Sequence, residues 1–80
     1  MKLDLNDFIE KFAAQFYETD RNEFTPSTIF KELDEWSSLS VITLIAMIDS
    51  EYGVTLDGYA INQAETIQDL FNELASRVKE

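Results

Sequence analysis

Three times along the chain, large apolar residues recur at i, i+3, i+4, i+7 and i+11, the spacing that gathers side chains on one face of an α-helix. The sets are Leu5, Phe8, Ile9, Phe12 and Phe16; then Val41, Leu44, Ile45, Ile48 and Tyr52; then Ile67, Leu70, Phe71, Leu74 and Val78. A half-buried strand would alternate polar and apolar residues instead, and no segment does so. Each stripe must be buried against another element, and with only helices to supply one the fold class is an all-α bundle.

The helix limits carry their own signals. Asp4 or Asn6 can cap the first helix, and Gly53 can take the left-handed conformation that closes the second after Tyr52. Thr66 followed by Asp69 has the form of a capping box for the last helix, which is expected to run to the C-terminus with Arg77 and Lys79 at its negative end. A long connection separates the first two stripes, roughly from Tyr17 to Ser37. Within it Pro26 suits the start of a short helical turn, and Phe24, Ile29, Phe30 and Leu33 are expected to pin the loop to the bundle. Asp57-Gly58 marks a turn, which leaves room for one short helix around Tyr59-Ala60-Ile61. The expectation is one domain over residues 1–80: a small four-helix bundle with three main amphipathic helices, one short helix and a long loop between helices one and two.

Composition bounds the chemistry. The chain has 80 residues, 6 Lys plus Arg against 16 Asp plus Glu, a net charge of -10, and no histidine or cysteine. Disulfides, thiolate or imidazole metal sites and histidine-activated nucleophiles are therefore excluded. A hydrophobic fraction of 45% with 12% aromatics is that of a folded chain. The residues Met1-Lys2-Leu3-Asp4 form no apolar signal core, and nothing approaches the roughly 18 apolar residues of a membrane span, so a cytoplasmic protein is expected, and a monomer. The negative field disfavours nucleic acid and anionic membranes and favours partners with basic surfaces. It is strongest over residues 32–57, where Glu32, Asp34, Glu35, Asp49, Glu51 and Asp57 occur without a single Lys or Arg. That segment lacks the glycine-centred loop of a calcium site, so no metal site is expected.

The second helix holds more apolar surface than its core contact needs. Leu39, Ile42, Ala46 and Met47 lie off the stripe, with Thr43 and Ser50 among them. Either the bundle surrounds this helix, or the excess is a docking surface for a partner, rimmed by acids. At its start, Trp36-Ser37-Ser38-Leu39 places two serines where one suffices as a cap. The other stands in the first turn, where free N–H groups and the positive dipole end favour an attached phosphate.

At these residues the chain resembles the acyl carrier protein family, whose members carry a 4'-phosphopantetheine arm on a serine. The resemblance rests on Trp36-Ser37-Ser38-Leu39, on Glu51-Tyr52-Gly53-Val54 at the family's separation, and on Thr66-Ile67-Gln68-Asp69-Leu70 at the last helix start. It implies Ser38 as the attachment residue for 4'-phosphopantetheine delivered from coenzyme A, Leu39 as the adjacent recognition residue, and Ile42, Ala46 and Asp49 as docking positions; Met47 is grouped with them from the helix projection. It further implies no catalytic residues, a phosphopantetheinyl transferase as one partner, and acyl-transferring and chain-modifying enzymes with basic docking surfaces as others. Ser37 stands where the family usually has Asp, and Ser40, Thr43 and Ser50 are neutral where acids are common, which points away from the usual fatty-acid partners. The function expected is a carrier of acyl thioesters in fatty acid, lipid or polyketide-type biosynthesis. The alternatives are an aminoacyl, peptidyl or D-alanine carrier, or an unmodified acidic interaction module.

Overall fold

A computed structural model of the protein describes residues 3–78. Its helices are α1 (Leu5–Ala13), α2 (Ser38–Tyr52), α3 (Gly58–Gln63) and α4 (Ile67–Arg77); single 3-10 turns at Arg21–Glu23 and Phe30–Glu32 punctuate the long connection between α1 and α2. No strand occurs among the described residues, and the all-α four-helix architecture is as the three apolar stripes and the short segment after Asp57-Gly58 together predict. No described helix is long and apolar enough to cross a membrane.

Asp4 rather than Asn6 caps α1, its carboxylate accepting the Asp7 N–H at 3.3 Å. The helix stops at Ala13, short of the last residue of its stripe. Tighter i+3 bonds follow, Gln15 N–H to the Phe12 carbonyl at 3.1 Å and Phe16 N–H to Ala13 at 3.0 Å. Phe16 stays buried through this turn, so burial rather than helical register accounts for its place in the pattern. At the end of α2, Gly53 takes φ 67 and ψ 24, a left-handed conformation that costs glycine little. Asp57 caps α3 by accepting the Ala60 N–H at 2.9 Å.

The start of α4 is closed on all sides. Thr66 Oγ1 accepts the Asp69 N–H at 3.0 Å and the Asp69 carboxylate accepts the Thr66 N–H at 3.2 Å, the reciprocal pair of a capping box. Two further first-turn amides reach the long connection: Ile67 N–H to the Thr28 carbonyl at 3.1 Å and Gln68 N–H to Pro26 at 2.9 Å. Pro26 sits in a turn closed by Thr28 N–H to the Thr25 carbonyl at 3.0 Å, a position its fixed φ favours. The loop is thus held by backbone as well as by side chains. Phe24 and Phe30 are buried and Leu33 half-buried, but Ile29 is 43% exposed; its role is the isolated backbone bridge to Thr66. At the other end α4 stops at Arg77, and Val78 turns extended at φ -80 and ψ 133 while still packing on the core. The expected run of this helix to the C-terminus is therefore corrected, because Val78 departs from helical φ/ψ; Lys79 lies outside the described residues.

Aromatic rings fill the interior between α1, the loop and α2. Phe12 contacts Phe8, Phe16, Phe24 and Phe30 at centroid distances of 6.2, 5.5, 5.9 and 5.7 Å. Trp36 continues the series, edge-on to Phe30 at 5.0 Å and stacked on Phe16 at 6.3 Å. Each fully buried ring contributes roughly 1.5–3 kcal/mol by leaving water, and paired rings add about 0.5–1.5 kcal/mol. The consequence for the site is that Trp36, two residues before α2, is anchored on the core.

Candidate functional site

The start of α2 is built by division of labour among three serines. Ser37 is the N-cap, in extended conformation at φ -152 and ψ 176. Ser40 reaches back: its Oγ accepts the Ser37 N–H at 3.1 Å, while its own N–H donates to the Ser37 carbonyl at 3.0 Å. Ser38, between them, is exposed, and its hydroxyl makes no hydrogen bond to any described residue. The amides of Ser38 and Leu39 likewise have no acceptor among the described residues, in contrast to the closed start of α4. A helix N-terminus with open amides favours an adjacent anion by about 0.3–1 kcal/mol at an exposed site. Of the two cap candidates, Ser37 and Ser38, the structure uses Ser37, and the Ser-x-x-Ser spacing was the available signal that Ser40 could complete its cap.

Along the helix the exposed residues gather on one side. At 100° per residue, Ser38, Leu39, Ile42, Ala46 and Asp49 fall within an arc of about 100°, and all of them are exposed, Leu39 by 68% and Ile42 by 63%. Asp49 forms no ion pair or hydrogen bond with a described side chain. Met47 does not belong to this group. It is 8% exposed and joins Leu44, Ile48 and Tyr52 in the core, since α2 packs against α3 as well and its buried arc is wider than one seam. The expectation for Met47 as a docking residue is therefore corrected, whereas Leu39, Ile42 and Ala46 are excess apolar surface that the bundle leaves uncovered.

The acids of residues 32–57 divide in the same way. Asp57 caps α3, and Glu35 is tied inward by accepting the Glu18 N–H at 3.0 Å and a hydrogen bond from the Thr19 hydroxyl. Glu51 approaches Lys11 at 3.9 Å, at the far end of α2 from Ser38. There the hydrogen bond to Asp7 raises the Lys11 ammonium above its ordinary value, and burial pushes the Tyr52 hydroxyl up.

Two grooves flank the start of α2. One, of about 470 Å³, is lined by Trp36, Ser37, Ser38, Val41 and Asn62, and so runs between α2 and α3. The other, of about 360 Å³, lies on the α1 side, with Phe16, Tyr17, Glu35, Leu39 and Thr43 among its walls. None of the five residues lining the first groove has an acid or base to move a proton near neutral pH. Asn62 had no signal in the sequence, because only the packing of α3 brings it beside Ser38.

A family model described as phosphopantetheine attachment site matches residues 7–74. No curated protein and no solved structure matches the chain. The chain belongs to the phosphopantetheine-attachment family, the family of acyl carrier proteins. The domain that defines this family is the attachment site of the 4'-phosphopantetheine prosthetic group, and the class of protein is a carrier of that group. Such a carrier works with a phosphopantetheinyl transferase and with partner enzymes. The residues at the start of α2 fit the group: an unengaged hydroxyl, open amides for a phosphodiester, and a groove alongside.

Proposed function

We propose that Ser38 receives the 4'-phosphopantetheine arm and that the protein is a non-catalytic carrier of acyl intermediates in fatty acid, lipid or polyketide-type biosynthesis. The observation that carries this reading is the unbonded, exposed Ser38 hydroxyl at the open start of α2, on the same side as Leu39, Ile42, Ala46 and Asp49. In the loading reaction the Ser38 oxygen forms a bond to the phosphorus next to the pantetheine of coenzyme A. The pyrophosphate bond breaks, the adenosine bisphosphate leaves, and the hydroxyl proton passes to a base of the transferase, since the groove around Ser38 has none. The arm supplies the thiol that a chain without cysteine lacks.

The rest of the exposed face serves handover. Leu39 and Ile42 offer apolar contact and Asp49 a charge that steers basic partners, which raises encounter rates without requiring tight binding. Ser37, Ser40, Thr43 and Ser50 stand in for acids along this helix and favour specialised partners, which keeps an aminoacyl, peptidyl or D-alanine carrier as the second reading. The protein acts in the cytoplasm on this proposal. The test is intact-mass analysis after incubation with coenzyme A and a broad-specificity phosphopantetheinyl transferase. One arm is expected on the native chain and none on Ser38→Ala; a chain that never gains mass is an unmodified acidic interaction module instead.

A further inference from the structure

We propose that the groove on the α1 side of α2 docks a cationic segment of a partner protein, with an apolar side chain of that segment between Tyr17 and Leu39 and its Lys or Arg residues in the acidic cleft alongside. Tyr17 and Leu39 both line this groove and are 93% and 68% exposed. A ring and an aliphatic side chain left in water on the walls of one groove are apolar surface that the bundle itself does not use.

Tyr17 is exposed without being loose. Before it, Phe16 is buried and stacked on Trp36 with centroids 6.3 Å apart. After it, the Glu18 N–H donates to the Glu35 carboxylate at 3.0 Å, and the Thr19 hydroxyl donates to the same oxygen. The connection therefore holds the backbone of Tyr17 from both sides, and an anchor already in place loses less entropy on binding than one that must first be ordered.

Charge names the occupant. Glu35 also lines a second cleft, of about 420 Å³, together with Glu18, Asp20, Glu23, Glu32 and Asp34, so the two hollows adjoin. No Lys or Arg lines either of them. Asp20 accepts the Asn22 N–H at 2.8 Å and Glu35 holds the connection. The carboxylates of Glu18, Glu23, Glu32 and Asp34 make no hydrogen bond or ion pair with a described residue, so their charge is unspent. Such a cluster beside an apolar groove repels a second copy of this chain with its net charge of -10, and repels nucleic acid and anionic membranes alike. It attracts Lys and Arg, and the Tyr17 ring adds a face on which a guanidinium can stack. The surface leaves α2 at Leu39 for the connection, so it lies beyond the face of Ile42, Ala46 and Asp49 and requires no arm on Ser38.

The experiment titrates the full chain, its mass recorded to show whether Ser38 carries the arm, with two synthetic peptides of equal positive charge and follows amide NMR signals. One peptide is an amphipathic sequence of arginines and leucines; in the other each leucine is replaced by serine. The leucine peptide is expected to shift the signals of Tyr17, Thr19, Asp34 and Leu39 and to bind about tenfold more tightly than the serine peptide, the scale of one well-seated apolar anchor. Tyr17→Ser, at an exposed position, is expected to keep the spectrum of a folded chain and to remove most of that difference while leaving the serine peptide's affinity unchanged. Glu32→Gln combined with Asp34→Asn is expected to weaken both peptides and to reduce the salt dependence of their binding. Equal affinities for the two peptides, shifts confined to Ile42, Ala46 and Asp49, or a Tyr17 signal that responds to protein concentration and not to peptide would each overturn the proposal. A chain that binds as expected but never gains the mass of the arm overturns the carrier reading and leaves this surface standing.

Discussion

The Ser40 hydroxyl accepts the Ser37 amide at 3.1 Å, and that contact spans Ser38, whose own hydroxyl makes no hydrogen bond to a described residue. On the proposed function, capping and carrying fall to different serines. Ser40→Ala is expected to lower stability by about 1 kcal/mol, the usual worth of such a cap. Denaturant midpoints measure this loss, and Ser38 should still gain one arm by mass. Loss of loading with the fold intact would show that Ser40 serves recognition as well.

Two apolar residues of α2, Met47 and Ile42, separate buried packing from exposed apolar surface. Met47→Ala empties part of the core and should cost about 2–3 kcal/mol in equilibrium unfolding. Ile42→Ala, at a residue 63% exposed, should change stability by less than about 0.5 kcal/mol. It should nevertheless slow transfer from the loaded carrier to a partner enzyme, measured by single-turnover kinetics. Equal destabilisation by the two variants would remove the distinction drawn between them.

Asp69 gives the fold a pH dependence of known sign. Backbone hydrogen bonds from Thr66 and Glu65 hold its carboxyl below the ordinary 3.8. The folded pKa being lower than the unfolded one, the cap contributes fully above the unfolded value and is lost as pH falls through the folded value. Urea midpoints taken from neutral pH downward are expected to fall more steeply below about pH 4 for the native chain than for Asp69→Asn. Parallel curves would mean the carboxylate charge adds nothing to the cap.

Tyr52 buries a hydroxyl that has no partner among the described residues, while its ring packs on Phe8 with centroids 6.0 Å apart. Leaving a buried hydroxyl unsatisfied costs about 1–3 kcal/mol. Tyr52→Phe is therefore expected to leave thermal stability unchanged or raise it, since the ring contacts survive. A clear fall in Tm would reveal a hydrogen bond made by this hydroxyl.

The local signals were legible because they involve residues a few positions apart. Gly53 closes α2, Thr66 and Asp69 cap α4, and the three stripes lie largely in helices, since 3.6-residue periodicity and capping distances depend on the local chain alone. Phe16 is buried in the core and Val78 packs against it, though neither lies in a helix, because apolar spacing reports burial and only indirectly helix length. Met47 misled for a related reason: a single seam could be projected from α2, but not the second surface that α3 covers.

The site divides along the same line. Order in the chain was enough to show one serine more than a cap requires at Ser37-Ser38, with Ser38 named by the family resemblance, and to mark Leu39, Ile42, Ala46 and Met47 as lying off the core stripe. Tertiary structure decided which serines form the cap, that Ser38 is the one left unbonded, and that Glu35 turns inward. It alone brought Asn62, from an element far away in sequence, beside Ser38. Periodicity and capping are short-range properties that a sequence carries openly, whereas the walls of a groove exist only once separate elements have packed.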